Sequence, residues 1–276
     1  MAFENISLVS NTLVKDYYED NKTSDYRCHF PQELVYERGQ YEIAMTSFQY
    51  KKSWDNFPDT DKFIIDVYTK RYADGNDGKI LKLARINFPS GHYATGKEVA
   101  DAMNAIFQTH DLSSLVEMEF NELAHKTAFR FKAGLGRDFI SLYFLRPFAR
   151  KLGFTGKPDG TYEEFDVYFG RAHTVLSSPS VLTLEEIDHL FVYLDMCQNK
   201  HIVGDVASSV LQIVPNKGKR GDVVIFEPRS LLWLPLNSSR FTSARVLIND
   251  QRGRPVPFTS GTSIVRVHIR LANPFK

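Results

Sequence analysis

Two cysteines in 276 residues, Cys28 and Cys197, are too few and too far apart to frame a disulfide-stapled fold, and they point to folding under reducing conditions. Long hydrophobic runs are missing as well: no window approaches 18 consecutive apolar residues, so no helical membrane span is expected. The opening stretch, MAFENISLVSNTLVKDYYED, lacks the basic region and apolar core of a secretory leader. The sequons at Asn5, Asn21 and Asn237 are then read as chance matches to the glycosylation pattern. Neither sign of charge is in excess, because 34 Lys and Arg against 33 Asp and Glu leave +1. No global field draws the chain to nucleic acid or membrane, and a soluble intracellular product is expected.

Residues that carry chemistry are scattered. The eight histidines (His29, His92, His110, His125, His173, His189, His201 and His268) stand singly, with no H-x-H or H-E-x-x-H pattern to bind a metal. There is no G-x-S-x-G nucleophile elbow. Gly134-Leu135-Gly136-Arg137 lacks the rest of a phosphate loop, and Asp74-Gly75-Asn76-Asp77-Gly78 lacks the closing Glu of a calcium loop, so both read as turns. Asp16, Glu19 and Asp20 read as a solvated acidic patch, and Cys197 as a buried thiol. No catalytic residue, cofactor or metal is expected, and the chain is not read as an enzyme.

What the sequence does hold is strand-forming residues, with 21 Phe and 13 Tyr. From Leu190 to Leu271 it reads LFVYLDM, VASSVLQIVP, DVVIFEP, SARVLIND and SIVRVHIRL, each piece separated from the next by a turn signal. Val246, Ile248, Val265, Val267 and Ile269 share parity on their strands and are expected to face a core. Three further strands are expected earlier, at Tyr26–Phe30, Tyr41–Phe48 and Phe63–Tyr68. Three plus five gives eight, the strand number of a single jelly roll, so the fold class is all-β with an eight-stranded β-sandwich.

Between the two groups the texture changes. After a strand from Lys79 to Phe88, Thr95 fits an N-cap with Glu98 as its capping-box partner, and Val99, Met103, Ile106 and Phe107 follow at helical spacing. Strands at Val116–Phe120, Ala128–Phe131 and Phe139–Phe144 and a short helix from Pro147 to Leu152 complete an α+β insertion lobe. Its expected core is Val99, Met103, Ile106, Phe129, Phe131, Phe139 and Leu152. The resulting division is an N-terminal arm over 1–24, a jelly roll over 25–78 and 180–276, the lobe over 79–160 and a connection over 161–179. The arm has two readings, an edge strand or frayed terminus, or a segment that orders on a partner through Leu8, Val9, Leu13, Val14, Tyr17 and Tyr18.

Two basic loops also carry two readings each. Lys217-Gly218-Lys219-Arg220-Gly221 reads as a tight hairpin, and Arg252-Gly253-Arg254-Pro255 as another turn. Either is a solvated turn, or a place where Lys217, Lys219, Arg220, Arg252 and Arg254 meet a partner's carboxylates or phosphates.

Around these loops the sequence resembles a known family. Ile202-Val203-Gly204-Asp205, Leu211-Gln212-Ile213-Val214-Pro215 with the first basic loop, Leu234-Pro235-Leu236, Phe241, and Ile248 through Phe258 with Ser260-Gly261 are similar to the minor capsid, or penton, protein of Polinton (Maverick) elements and related adintoviruses. The match covers roughly residues 188–271. Ser10-Asn11-Thr12, His29-Phe30-Pro31, Tyr41-Glu42-Ile43-Ala44, the hairpin containing Lys126 and Ala149 through Phe154 fit more loosely. The resemblance implies a virion protein assembled inside a host cell: an upright single jelly roll forming homopentamers at the five-fold vertices, beside a double-jelly-roll major capsid protein. It implies no specific nucleic acid.

Two alternatives stay open: a ligand- or glycan-binding jelly-roll module using an exposed Trp54 or Trp233, and a domesticated host copy of the capsid gene. A combined reading, a penton whose outer insertion binds a host receptor, is open as well.

Overall fold

The computed structural model describes residues 4–10, 20–36, 41–58, 64–71, 79–132, 139–154, 161–162, 165–171, 173–184, 187–198, 201–203 and 206–272. The chain divides into two compact units, Met1–Trp54 with Ile187–Lys276, and Asp55–Glu186. It begins in the first unit with β1 (Glu4–Val9), β2 (Asp25–Val35) and β3 (Tyr41–Lys51). The second unit holds β4 (Ile64–Arg71), β5 (Lys79–Asn87), α1 (Gly96–Thr109), β6 (Val116–Asn121), β7 (Lys126–Phe131), β8 (Phe139–Leu145), α2 (Arg146–Lys151), β9 (Thr161–Tyr162), β10 (Phe165–Arg171) and β11 (Val175–Ser177). The return to the first unit gives β12 (His189–Leu194), β13 (His201–Val203), β14 (Val206–Ser208), β15 (Val210–Pro215), β16 (Val223–Phe226), β17 (Leu234–Pro235), β18 (Arg240–Asn249) and β19 (Ser263–Leu271).

The first unit is a jelly roll. One sheet runs β1-β19-β3-β16, with β17 also on β3, and the other runs β15-β12-β18-β2. Because β19 pairs along the length of β3, β16 and β17 share the opposite edge, at Lys51 to Phe48 and then at Ile43 and Glu42. They act as one interrupted strand, so each sheet is four strands wide. All pairings are antiparallel, and both sheets interleave early and late strands, which is the double Greek key of this fold. The ribbon of β13 and β14 stands apart from both sheets.

Alternation along β18 and β19 buries Val246, Ile248, Val265, Val267 and Ile269, as their parity predicts. They meet Leu8, Tyr26, Phe48, Tyr50, Leu190, Val192 and Leu194 in a core drawn wholly from residues up to 54 and from 187 onward.

The count of eight holds, but its membership does not. Residues 4–9, placed in an arm and outside the eight strands, take the edge-strand reading of that arm: they form β1 and pair with β19 from Glu4↔Ile269 to Val9↔Ile264. Of the Phe63–Tyr68 segment, expected in the roll, the described residues from Ile64 fall in β4 of the second unit, between β5 and β8. Ile65 and Val67 point into that unit's core, and the buried Asp66 is held by the Arg85 guanidinium at 2.6 and 2.7 Å. Alternation marks a strand without saying which sheet takes it. Similarly, 161–179, expected as a connection, supplies β10 along β8 and β11 along β7.

In the second unit β5-β4-β8-β10-β9 form one sheet and β11-β7-β6 another. Thr95 Oγ1 accepts from the Glu98 amide at 3.2 Å, so Thr95 caps α1 as predicted, while Glu98 Oε2 accepts from the Ala94 amide at 2.8 Å, one residue before the N-cap amide that a capping box would use. The buried face of α1 carries Val99, Ala100, Met103 and Phe107. Phe129, Phe131 and Leu152 are buried with them, and Ile106 is half-buried. The side chain of Phe139, also expected there, lies outside the described residues, as do the loops at 74–78, 134–137 and 156–160. At the end of α2, Gly153 has φ +88°, and a Cβ there would meet the Ser180 carbonyl oxygen at 2.2 Å, so only glycine fits.

Candidate assembly surface

The N-terminal residues expected to seek a partner are divided by the structure. Leu8 is fully buried in the roll's core, and its carbonyl accepts from the Tyr26 hydroxyl at 3.3 Å, so it is not a free anchor. Val9 lies on the opposite side of β1, half-buried, with its carbonyl accepting from the Cys28 thiol at 3.4 Å. Leu13, Val14, Tyr17 and Tyr18 lie outside the described residues. Burial raises both thiols, that of Cys197 to about 12, so neither is primed as a nucleophile.

The first basic loop is not a hairpin. It joins β15, at the edge of one sheet, to β16, at the edge of the other, and thus carries the chain across the sandwich. Gly221 donates to the Lys52 carbonyl at 2.7 Å, Lys52 donates back to the Asp222 carbonyl at 2.9 Å, and the buried Lys52 ammonium reaches the Gly218 carbonyl at 3.1 Å. Asp222 Oδ2 accepts from the Lys219 amide at 2.8 Å. Backbone bonds fix the turn, leaving the Lys217, Lys219 and Arg220 side chains exposed.

The second basic loop is organised from within. Asp250, 3% exposed, accepts from the Arg252 and Arg254 amides at 2.8 and 2.9 Å and from Arg254 Nε at 3.0 Å. Arg254 therefore closes its own turn.

The sequence reading missed the first unit's most apolar exposed surface. Val223 and Ile225 on β16 are 58% and 63% exposed, and Leu231 and Leu232, between β16 and β17, are exposed as well. Val224 and Phe226 pack toward the core, so Val223 and Ile225 point outward. The signal was the unbroken apolar run VVIF, which does not alternate with polar residues as a half-buried strand should.

Sheet edges usually carry protection against pairing. On β2 it is plain, with Pro31 inside the strand and a register break opposite Phe241 and Ser243. The edge strand β16 has neither proline nor charge.

Neither tryptophan offers an open face for a sugar. Trp54 is buried, stacked on Tyr50 at 6.2 Å and edge-on to Phe258 at 5.5 Å. Trp233 is half-buried, with the Arg270 guanidinium 3.6 Å from its ring centre. Among the described residues no group of three or more His, Cys, Asp or Glu is placed to hold a metal ion, and no helix is long and apolar enough to cross a membrane. The second unit has a groove of about 680 Å³ between α1 and the sheet of β6, β7 and β11, with Lys97, Asp101, Glu119 and Lys126 on its walls.

No protein-family model and no curated protein matches the chain. Among solved structures it is similar to the selenomethionine-labelled mavirus penton protein, with a TM-score of 0.54 and 12% identity over 98% of this chain and 99% of that one. At that identity the likeness is one of architecture: this chain, over nearly its whole length, has a penton-protein fold.

Proposed function

We propose that the chain is a structural capsid protein, a penton subunit forming homopentamers at the five-fold vertices of an icosahedral virion. The observation that supports it most is the end-to-end likeness to the mavirus penton protein, which spans nearly all of both chains. The sequence resemblance to Polinton and adintovirus pentons over 188–271 supports the same reading.

The physics suits the task. A five-fold ring is a heterologous, closing assembly, so each subunit must present two different complementary sides. The two sheets end in unlike strands, β1 and β16 in one and β15 and β2 in the other, so the sandwich has unlike sides. A net charge of +1 keeps repulsion among five copies small. On this reading the ring's partner in the shell is a double-jelly-roll major capsid protein.

Electron-microscopy class averages of the purified protein test this reading. Rings with five-fold symmetry are expected; particles the size of one chain at every concentration would overturn it.

A further inference from the structure

The proposed function requires two complementary sides but does not say which. Four observations in the first unit answer that, and the answer rests on the ring reading above.

The first is strand direction. In the sheet β1-β19-β3-β16 every neighbour is antiparallel, so the edge strands β1 and β16 run in opposite directions. Rotation about an axis along the strands leaves all strand directions unchanged. The β1 of a neighbouring copy therefore meets β16 antiparallel, the pairing this sheet already uses. A contact of β16 with another β16 would close at two copies and leave β1 uncovered.

The second is level. Val9 is paired with Ile264, Ile264 with Gln49, and Gln49 with Ile225. These residues form one row across the sheet, so a rotated copy without axial shift sets its Val9 level with Ile225. The third is chemistry. Val9, Ile264 and Ile225 all lie on the outward parity of their strands, and Val223, Leu231 and Leu232 extend the apolar surface on the β16 side. The fourth is protection. β16 (VVIF) has neither proline nor charge, and β1 (ENISLV) has no proline and its one charge, Glu4, at the end away from Val9, whereas β2 holds Pro31 and a register break, and β15 ends in Pro215.

We infer that copies of this chain join side by side through this one sheet, the β16 edge of one copy being covered by the β1 edge of the next. Val223, Ile225, Leu231 and Leu232 are the apolar contribution of one side, and Val9, at the end of β1, belongs to the other. The exposed apolar side chains are those of an interface awaiting its neighbour.

A disulfide trap reads this contact. Within one chain, positions 9 and 225 are separated by three strand spacings, about 14 Å, which a disulfide cannot bridge. Cys28 and Cys197 are buried and do not compete. In the full chain carrying both Val9→Cys and Ile225→Cys, mild oxidation should give a non-reducing gel ladder rising from two chains to five. The single-cysteine variants should give no product beyond two chains. A second variant, Ile225→Glu, should melt like the parent while raising the concentration for half-assembly about tenfold or more. A five-fold particle mass with no ladder, or undiminished assembly of Ile225→Glu, would overturn this interface and leave the penton reading standing. A one-chain mass at all concentrations with no ladder would overturn both.

Discussion

Ile225 and Val9 lie in the same row at opposite edges of one sheet of the jelly roll, joined through Gln49 and Ile264. Both side chains point away from the core, and the strands that carry them run in opposite directions. A single sheet thus has two unlike ends at the same level, running in opposite directions, which is the geometry a closing ring requires.

Leu8 provides the sharpest test of the N-terminal strand. Its side chain is fully buried among the roll's core residues. Leu8→Ala is expected to cost about 2–5 kcal/mol in urea unfolding. Val267→Asp, which buries an unpaired charge on β19, should cost several kcal/mol as well. A Leu8→Ala protein as stable as the parent would return β1 to the status of a free arm.

The two units should be separable. Among the described residues, the roll's core is drawn from residues up to 54 and from 187 onward, and the second unit's core from 57–184. Replacing 55–186 with a short Gly-Ser linker should leave the roll folded, because loop closure costs little more for a longer loop. Replacing only 79–160 should also leave the roll folded, but it removes β5 and β8 and strips β4 of its partners, so this variant should expose Ile65 and Val67 and bind an apolar dye that the first does not. Circular dichroism melts of both variants check this; loss of cooperative unfolding in the first would show that the roll depends on the second unit.

Stability should fall in acid, in part through Asp25. Two hydrogen bonds from Arg245, at 2.7 and 2.8 Å, hold its carboxyl below the ordinary aspartate value, against an opposing effect of burial. A carboxyl lowered in the folded state stabilises above its unfolded pKa, and that contribution is lost as pH falls through the folded value. Both side chains are over a third exposed, so the pair contributes less than about 1 kcal/mol. Asp25→Asn should therefore destabilise slightly at pH 7 and match the parent once the pH has fallen below the carboxyl's lowered folded value. An equal deficit at both values, measured by denaturant titration, would mean the aspartate acts through its shape and not its charge.

The C-terminal strands were legible because Val, Ile and Phe alternate between clear turn signals, and α1 was legible because Thr95 and Glu98 mark its start. In the lobe, Val99 and Met103 followed from helical spacing, and Phe129 and Phe131 from alternation along β7. Three features were not legible. β1 is six residues long with only Ile6 and Leu8 inward, and its strength comes from β19, some 255 positions away along the chain, which no local window sees. β4 alternates well, but alternation does not say which of two sheets a strand will join. The basic loop reads locally as a hairpin; that it crosses between sheets depends on β16 finding β3. The same long-range pairing leaves Val223 and Ile225 exposed, so the assembly surface became visible only once the edges of both sheets were known.

The sedimentation-equilibrium mass of the purified full chain tests the central claim most directly. A penton subunit whose two sides close a ring should reach a limiting mass of five times 31.6 kDa as concentration rises, with no larger species. A limiting mass of one chain, or a series that grows without closing at five, would contradict it.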